Sequence, residues 1–132
     1  MGDFRKLAVW KKAHEVALLV YKQTSQWPRH ELYGLTSQTR RAAVSVPANI
    51  AEGCGKNTDA ELAKHARSSL GSAAELAYYM ILAHDLGYLA GVPQSELSAD
   101  IAEVQRMTAS LERVAATAAQ ASSPSPRLRR KS

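Results

Sequence analysis

A chain of 132 residues fits one domain, and 45% hydrophobic with 22% charged side chains is the composition of a globular protein, not a disordered or collagen-like one. A single cysteine, Cys54, excludes an internal disulfide framework and a cysteine-ligated zinc site, and no uncharged apolar run approaches the ~18 residues of a membrane span, so the expected location is cytoplasmic. The formal net charge is +5, which makes polyanions the first partners to consider.

Helical periodicity dominates, and no strand pattern competes with it. A first helix is predicted over roughly 7–25, with Leu7, Trp10, Ala13, Ala17, Val20 and Tyr21 on one broad face and Trp27-Pro28 as its stop. A second spans roughly 34–54, with Leu35, Gln38, Ala42, Val46 (or Ser45), Asn49 and Gly53 as its inward row. Pro47 falls inside it and removes one ladder bond, so a kink or irregular turn is expected there. The third, roughly 58–89, opens with the capping box Thr58-Asp59-Ala60-Glu61. Leu62, Ala66, Ser69, Ala73, Leu76, Met80, Ala83 and Gly87 follow at alternating steps of four and three, a heptad seam that makes this the longest predicted helix. A second row, Leu70, Ala74, Ala77, Ile81, His84 and Tyr88, widens its apolar arc. The fourth, roughly 94–120, carries Leu97, Ile101, Val104, Thr108, Leu111, Ala115 and Ala118 inward. Beyond it, residues 122–132 form a Ser/Pro/Arg tail, predicted to be disordered. Four helices with short connections imply an all-α, antiparallel up-down four-helix bundle over residues 1–121.

The charge is uneven along this chain. Arg127, Arg129, Arg130 and Lys131 all lie in the tail, and without them 13 basic side chains face 12 acidic ones. Residues 1–67 carry 11 basic and 6 acidic side chains, residues 68–121 only 2 and 6. Such asymmetry fits subunits that dock a basic face on an acidic one, or a basic patch for polyanions.

Arg40-Arg41 is the sharpest polar feature. Neighbouring helical residues point about 100° apart, so one arginine can face inward and the other solvent. The two readings are an interhelix ion pair, with Glu75 or Glu52 as partner, and phosphate contact through the guanidinium fork. Lys11, Lys12 and Lys56 would widen a phosphate-binding patch, and the four basic tail residues would extend it. Gln38, Asn49, Glu52 and Glu75 read as a structural polar motif, a buried network that fixes helix register. Cys54 reads as a loop or half-buried thiol, His14 and His84 as core histidines, and Trp10, Tyr21, Tyr78 and Tyr79 as core or subunit-interface aromatics more than base-stacking platforms. No catalytic constellation, metal-ligand spacing or cofactor motif is present in the sequence, so the expectation is a non-enzyme without a cofactor.

Three motifs stand in order. They are Phe4-Arg5-Lys6-Leu7-Ala8-Val9-Trp10-Lys11-Lys12-Ala13, the run from Glu31-Leu32-Tyr33-Gly34-Leu35 through Gln38, Arg40-Arg41-Ala42, Ser45 and Asn49-Ile50-Ala51-Glu52-Gly53, and Gly71-Ser72-Ala73-Ala74-Glu75-Leu76. Together they resemble the bacterial four-helix-bundle family encoded in intervening sequences of large-subunit (23S) ribosomal RNA genes, over residues 4–115. The chain is similar, more distantly, to accessory proteins of diversity-generating retroelements, which bind nucleic acid and a reverse transcriptase. The resemblance implies a cytosolic bundle assembled as a homopentameric ring. Two functions remain open at this point. One is an oligomeric module that weakly binds structured RNA or DNA through its basic surface and tail; the other is a protein scaffold or accessory subunit whose partner is another protein.

Overall fold

The computed structural model describes residues 2–122. Its long helices are α1 (Ala8–Thr24), α2 (Leu35–Gly55), α3 (Asp59–Asp85) and α4 (Gly91–Ser122), with short 3-10 turns at Phe4–Lys6 and Arg29–Glu31. No strand occurs among the described residues. Helices adjacent in sequence pack together and α4 returns to α1, while α1–α3 and α2–α4 lie on the diagonals. Gln38 meets Tyr79, Ser45 meets Ser72, and Gly53 meets His65, so α2 and α3 run antiparallel. No described helix is long and apolar enough to cross a membrane.

The heptad seam of α3 is buried in full from Leu62 to Ala83, and α4 buries Leu97, Ile101, Val104, Thr108 and Ala115 as its spacing predicts. Thr58 caps α3 by accepting from the Glu61 N–H at 3.2 Å. At mid-height each helix contributes two side chains to one layer: Ala13 and Val16, Ala43 and Val46, Ala73 and Leu76, Ile101 and Val104. They enclose a void of only about 10 Å³. Alternating small and large residues let the helices approach closely and still fill the space between them.

Three expectations need correction. The third helix ends at Asp85, not near 89. Gly87 adopts φ +82°, its N–H bonds to the His84 carbonyl (3.0 Å), and the Tyr88 N–H reaches the Ala83 carbonyl (2.8 Å). This is a Schellman stop, which a periodicity count reads as one more seam position. In consequence the longest helix is α4, at 32 residues against 27 for α3. It starts three residues earlier than expected because Pro93 sits in its first turn, where no N–H is needed.

The second correction concerns α2, which continues through Pro47 in place of the irregular turn. Its inward arc is Leu35, Thr36, Thr39, Ala42, Ala43, Val46, Pro47, Ile50, Gly53 and Cys54, rotated away from Gln38 and Asn49. Thr39 can be buried because its hydroxyl donates to the Leu35 carbonyl at 2.7 Å. Third, the second apolar row of α3 is core only in part: Ala77 and Tyr88 pack against the core, while Ala74, Ile81 and His84 are exposed.

Candidate functional site

The sharpest polar groups meet where α1 ends and α2 begins. Thr24, in the last turn of α1, donates to the Val20 carbonyl (2.7 Å) and accepts from Arg40 Nε (2.8 Å). That bond lays the Arg40 guanidinium over the Tyr21 ring, 4.7 Å from its centroid. The expected ion pair with Glu75 or Glu52 does not form. Among the described residues neither Arg40, Arg41 nor Arg29 makes an ion pair. Held by a hydroxyl and an aromatic face, Arg40 keeps its positive charge uncompensated.

Arg40 and Arg41 line a surface groove of about 530 Å³ together with Tyr21, Tyr33 and Val44. Tyr33 is 94% exposed, so both faces of its ring are open. A second groove of about 260 Å³, walled by Trp27, Arg29 and Thr36, shares Arg40 and Leu32 with the first. Among the described residues no acidic side chain lines either groove. Glu31, in the same connection, is turned elsewhere: it accepts from the Leu35 N–H (3.1 Å) and from the Tyr88 hydroxyl (2.9 Å). Those bonds, the backbone one first, hold its carboxyl below the usual glutamate range, and the carboxylate in turn pushes the Tyr88 phenol up.

The rest of the expected basic patch does not gather here. Lys12 is committed to α4, with Asp100 at 3.1 Å and Glu103 at 3.5 Å, and the bond to Asp100 raises its ammonium pKa. Lys11 and Lys56 are exposed at the opposite end of the bundle. Lys56 lies about 22 Å from Arg41 along the helix axis. Arg127, Arg129, Arg130 and Lys131 lie outside the described residues.

The polar motif also divides. Gln38 is exposed and accepts from the Tyr79 hydroxyl at 2.9 Å. Asn49, half-buried, donates to the Ser45 carbonyl (2.9 Å) and faces His65 Nδ1 at 3.5 Å. Glu52 lies 3.8 Å from the same ring nitrogen, and Glu75 is exposed beside Tyr79. These contacts tie α2 to α3 at separate levels, not as one buried network. The buried interhelix bond is Ser69 to the Val46 carbonyl, 2.7 Å.

Cys54 is helical and buried, packed with Leu62, Ala63 and Ala115, and that burial pushes its thiol pKa up. His14 is exposed and stacked on Trp10, and His84 is exposed beside Asp85, so neither is a core histidine. Tyr21 and Tyr78 are exposed and Trp10 half-buried. Tyr33, Thr24 and Arg29 are the groove residues that the sequence does not single out. The only signal for Tyr33 is an aromatic residue next to Gly34 in a connection, where no helical face exists to bury it. Among the described residues no group of histidines, cysteines and carboxylates could hold a metal ion.

No curated protein matches the chain. A crystal structure of a protein of unknown function from the S23 ribosomal protein family, from Bacteroides thetaiotaomicron VPI-5482, shares the fold at a TM-score of 0.74. Its sequence is 20% identical, and the match covers 80% of this chain and 98% of that one. The family model described as 23S rRNA-intervening sequence protein matches residues 5–110. The described bundle and that match, which covers all three motifs but for Phe4, agree: this chain belongs to the family of 23S rRNA-intervening sequence proteins.

Proposed function

We propose that this protein is a non-enzymatic, self-assembling helical bundle that binds RNA or DNA weakly and with little sequence preference. The observation that carries this reading is the acid-free pair of grooves around Arg29, Arg40 and Arg41. Guanidinium groups that meet no carboxylate suit phosphate oxygens, which they can grip with two parallel bonds. The basic balance of residues 1–67 and of the tail adds long-range attraction. Assembly repeats both features around one particle, and linked weak contacts multiply through effective concentration. The family resemblance implies five copies.

Binding of mixed-sequence RNA and DNA, followed by fluorescence anisotropy against salt, tests the reading. Affinity is expected to fall steeply as ionic strength rises. Removing residues 122–132 weakens binding more than substituting any one bundle arginine. Absence of binding at about 50 mM salt, where phosphate contacts are strong, replaces this reading with a protein scaffold. One observation favours that second reading: apolar side chains lie exposed on α1 (Leu18, Leu19) and α3 (Tyr78, Ile81), as surfaces for protein partners do.

A further inference from the structure

The twin grooves at the start of α2 differ from an ordinary basic surface in one respect. Their arginines are interleaved with an aromatic ring that touches almost nothing. Tyr33 is 94% exposed on a connection walled by Arg40 and Arg41 on one side, and Arg29 lines the adjoining groove. Tyr21, the other ring in the first groove, is occupied by the Arg40 guanidinium.

We infer that these grooves form a binding site for single-stranded nucleic acid, in which an unpaired base stacks on Tyr33 while flanking phosphates are held by Arg41 and Arg29. The inference rests on the nucleic-acid reading above and says where, and in which form, the strand is held. Three features favour a single strand over a duplex or an acidic peptide. The aromatic face can stack only on a base that is out of its helix. The concavity, at about 530 Å³, has the volume of a small-ligand pocket and not of a duplex-sized cleft. An acidic peptide satisfies the guanidinium groups but leaves Tyr33 without a partner. Arg40 serves as the fixed wall between the grooves, since Thr24 and Tyr21 hold it in one orientation.

The test uses the full chain and compares Tyr33→Ala, Tyr33→Phe and Arg41→Ala with wild type. Probes are a single-stranded oligonucleotide, the matching duplex, and polyglutamate as competitor. Tyr33→Ala leaves the charge unchanged and removes no packing contact, so thermal denaturation should match wild type. It should weaken single-strand binding about tenfold or more, which is the scale of one lost base stack, with no effect on duplex binding. Tyr33→Phe restores it, since the ring and not the hydroxyl stacks. Arg41→Ala weakens both forms and lowers the salt dependence by about one phosphate contact. Single-strand binding by Tyr33→Ala equal to wild type overturns this inference while nucleic-acid binding itself stands. Polyglutamate that displaces the oligonucleotide equally from wild type and Tyr33→Ala overturns it too, in favour of an acidic protein ligand. Failure of wild type to bind any probe removes the underlying reading instead.

Discussion

Two buried threonines show how one residue type takes opposite energetic roles. Thr39 and Thr108 are both fully buried. Thr39 donates back to its own helix at 2.7 Å, whereas the Thr108 hydroxyl finds no partner among the described residues. A buried hydroxyl without a hydrogen bond costs about 1–3 kcal/mol, and valine has nearly the same shape. Thr108→Val is therefore expected to stabilise the bundle by about 1 kcal/mol in urea denaturation, while Thr39→Val loses stability. Glu31 supplies a pH-dependent counterpart. Its carboxyl pKa is lowered in the folded state, first by the Leu35 N–H and then by the Tyr88 hydroxyl. A lowered folded pKa contributes stability above the unfolded value and loses it as pH falls through the folded one. Glu31→Gln should thus be less stable than wild type near neutral pH, and the gap should narrow as pH is taken down to about 3. A gap that stays constant with pH would assign the effect to packing instead of charge.

At the scale of elements, the end of α2 and the start of α3 approach each other because Gly53 has no side chain. A Cβ there would sit 2.9 Å from His65 Cβ and 3.1 Å from Leu62 Cδ1. His65 Cβ is anchored to the backbone and cannot swing away. Gly53→Ala gains up to ~1 kcal/mol of helix propensity, yet overpacking of this kind costs about 1–3 kcal/mol. Net destabilisation in thermal melts is the expected outcome, and an increase in Tm would mean that the two helices separate freely. The glycine is visible in the sequence, but its reason is not. Propensity alone would improve it to alanine; only the neighbouring helix makes that harmful.

At the scale of the whole molecule, exposed apolar side chains occur on every helix, and those of Leu18 and Ile81 fall on diagonal ones. Leu18 on α1 and Ile81 on α3 are each 59% exposed, and α1 and α3 lie diagonally across the core from one another. Two different patches on opposite sides of a subunit cannot pair isologously across one two-fold axis. They fit a head-to-tail contact, which closes into a ring when the rotation between copies allows. Wild type should therefore sediment well above 14.3 kDa, and Leu18→Glu or Ile81→Glu alone should release monomers. A mixture of the two variants should stop at a dimer, because each retains the patch that the other lacks. Monomeric wild type at micromolar concentration would refute head-to-tail assembly.

The sequence by itself determined the helices and the inner faces of α3 and α4, since these depend on a local period that repeats every turn. The Thr58 cap was equally legible, because its partner Glu61 is three residues away. What it left open has long-range causes. Arg40 finds Thr24 sixteen residues earlier, and Lys12 finds Asp100 from the far end of the chain. Which of these partners wins depends on how far each helix is rotated and slid against its neighbours. A single-helix pattern does not encode that rotation and slide. The spacing of α2 alone therefore points Gln38 and Asn49 inward, whereas the helix turns Thr39 and Ile50 to the core. The tertiary structure decided that rotation by packing two apolar side chains from each helix into one nearly void-free layer, and in doing so it left Arg40, Arg41 and Tyr33 together on the outside.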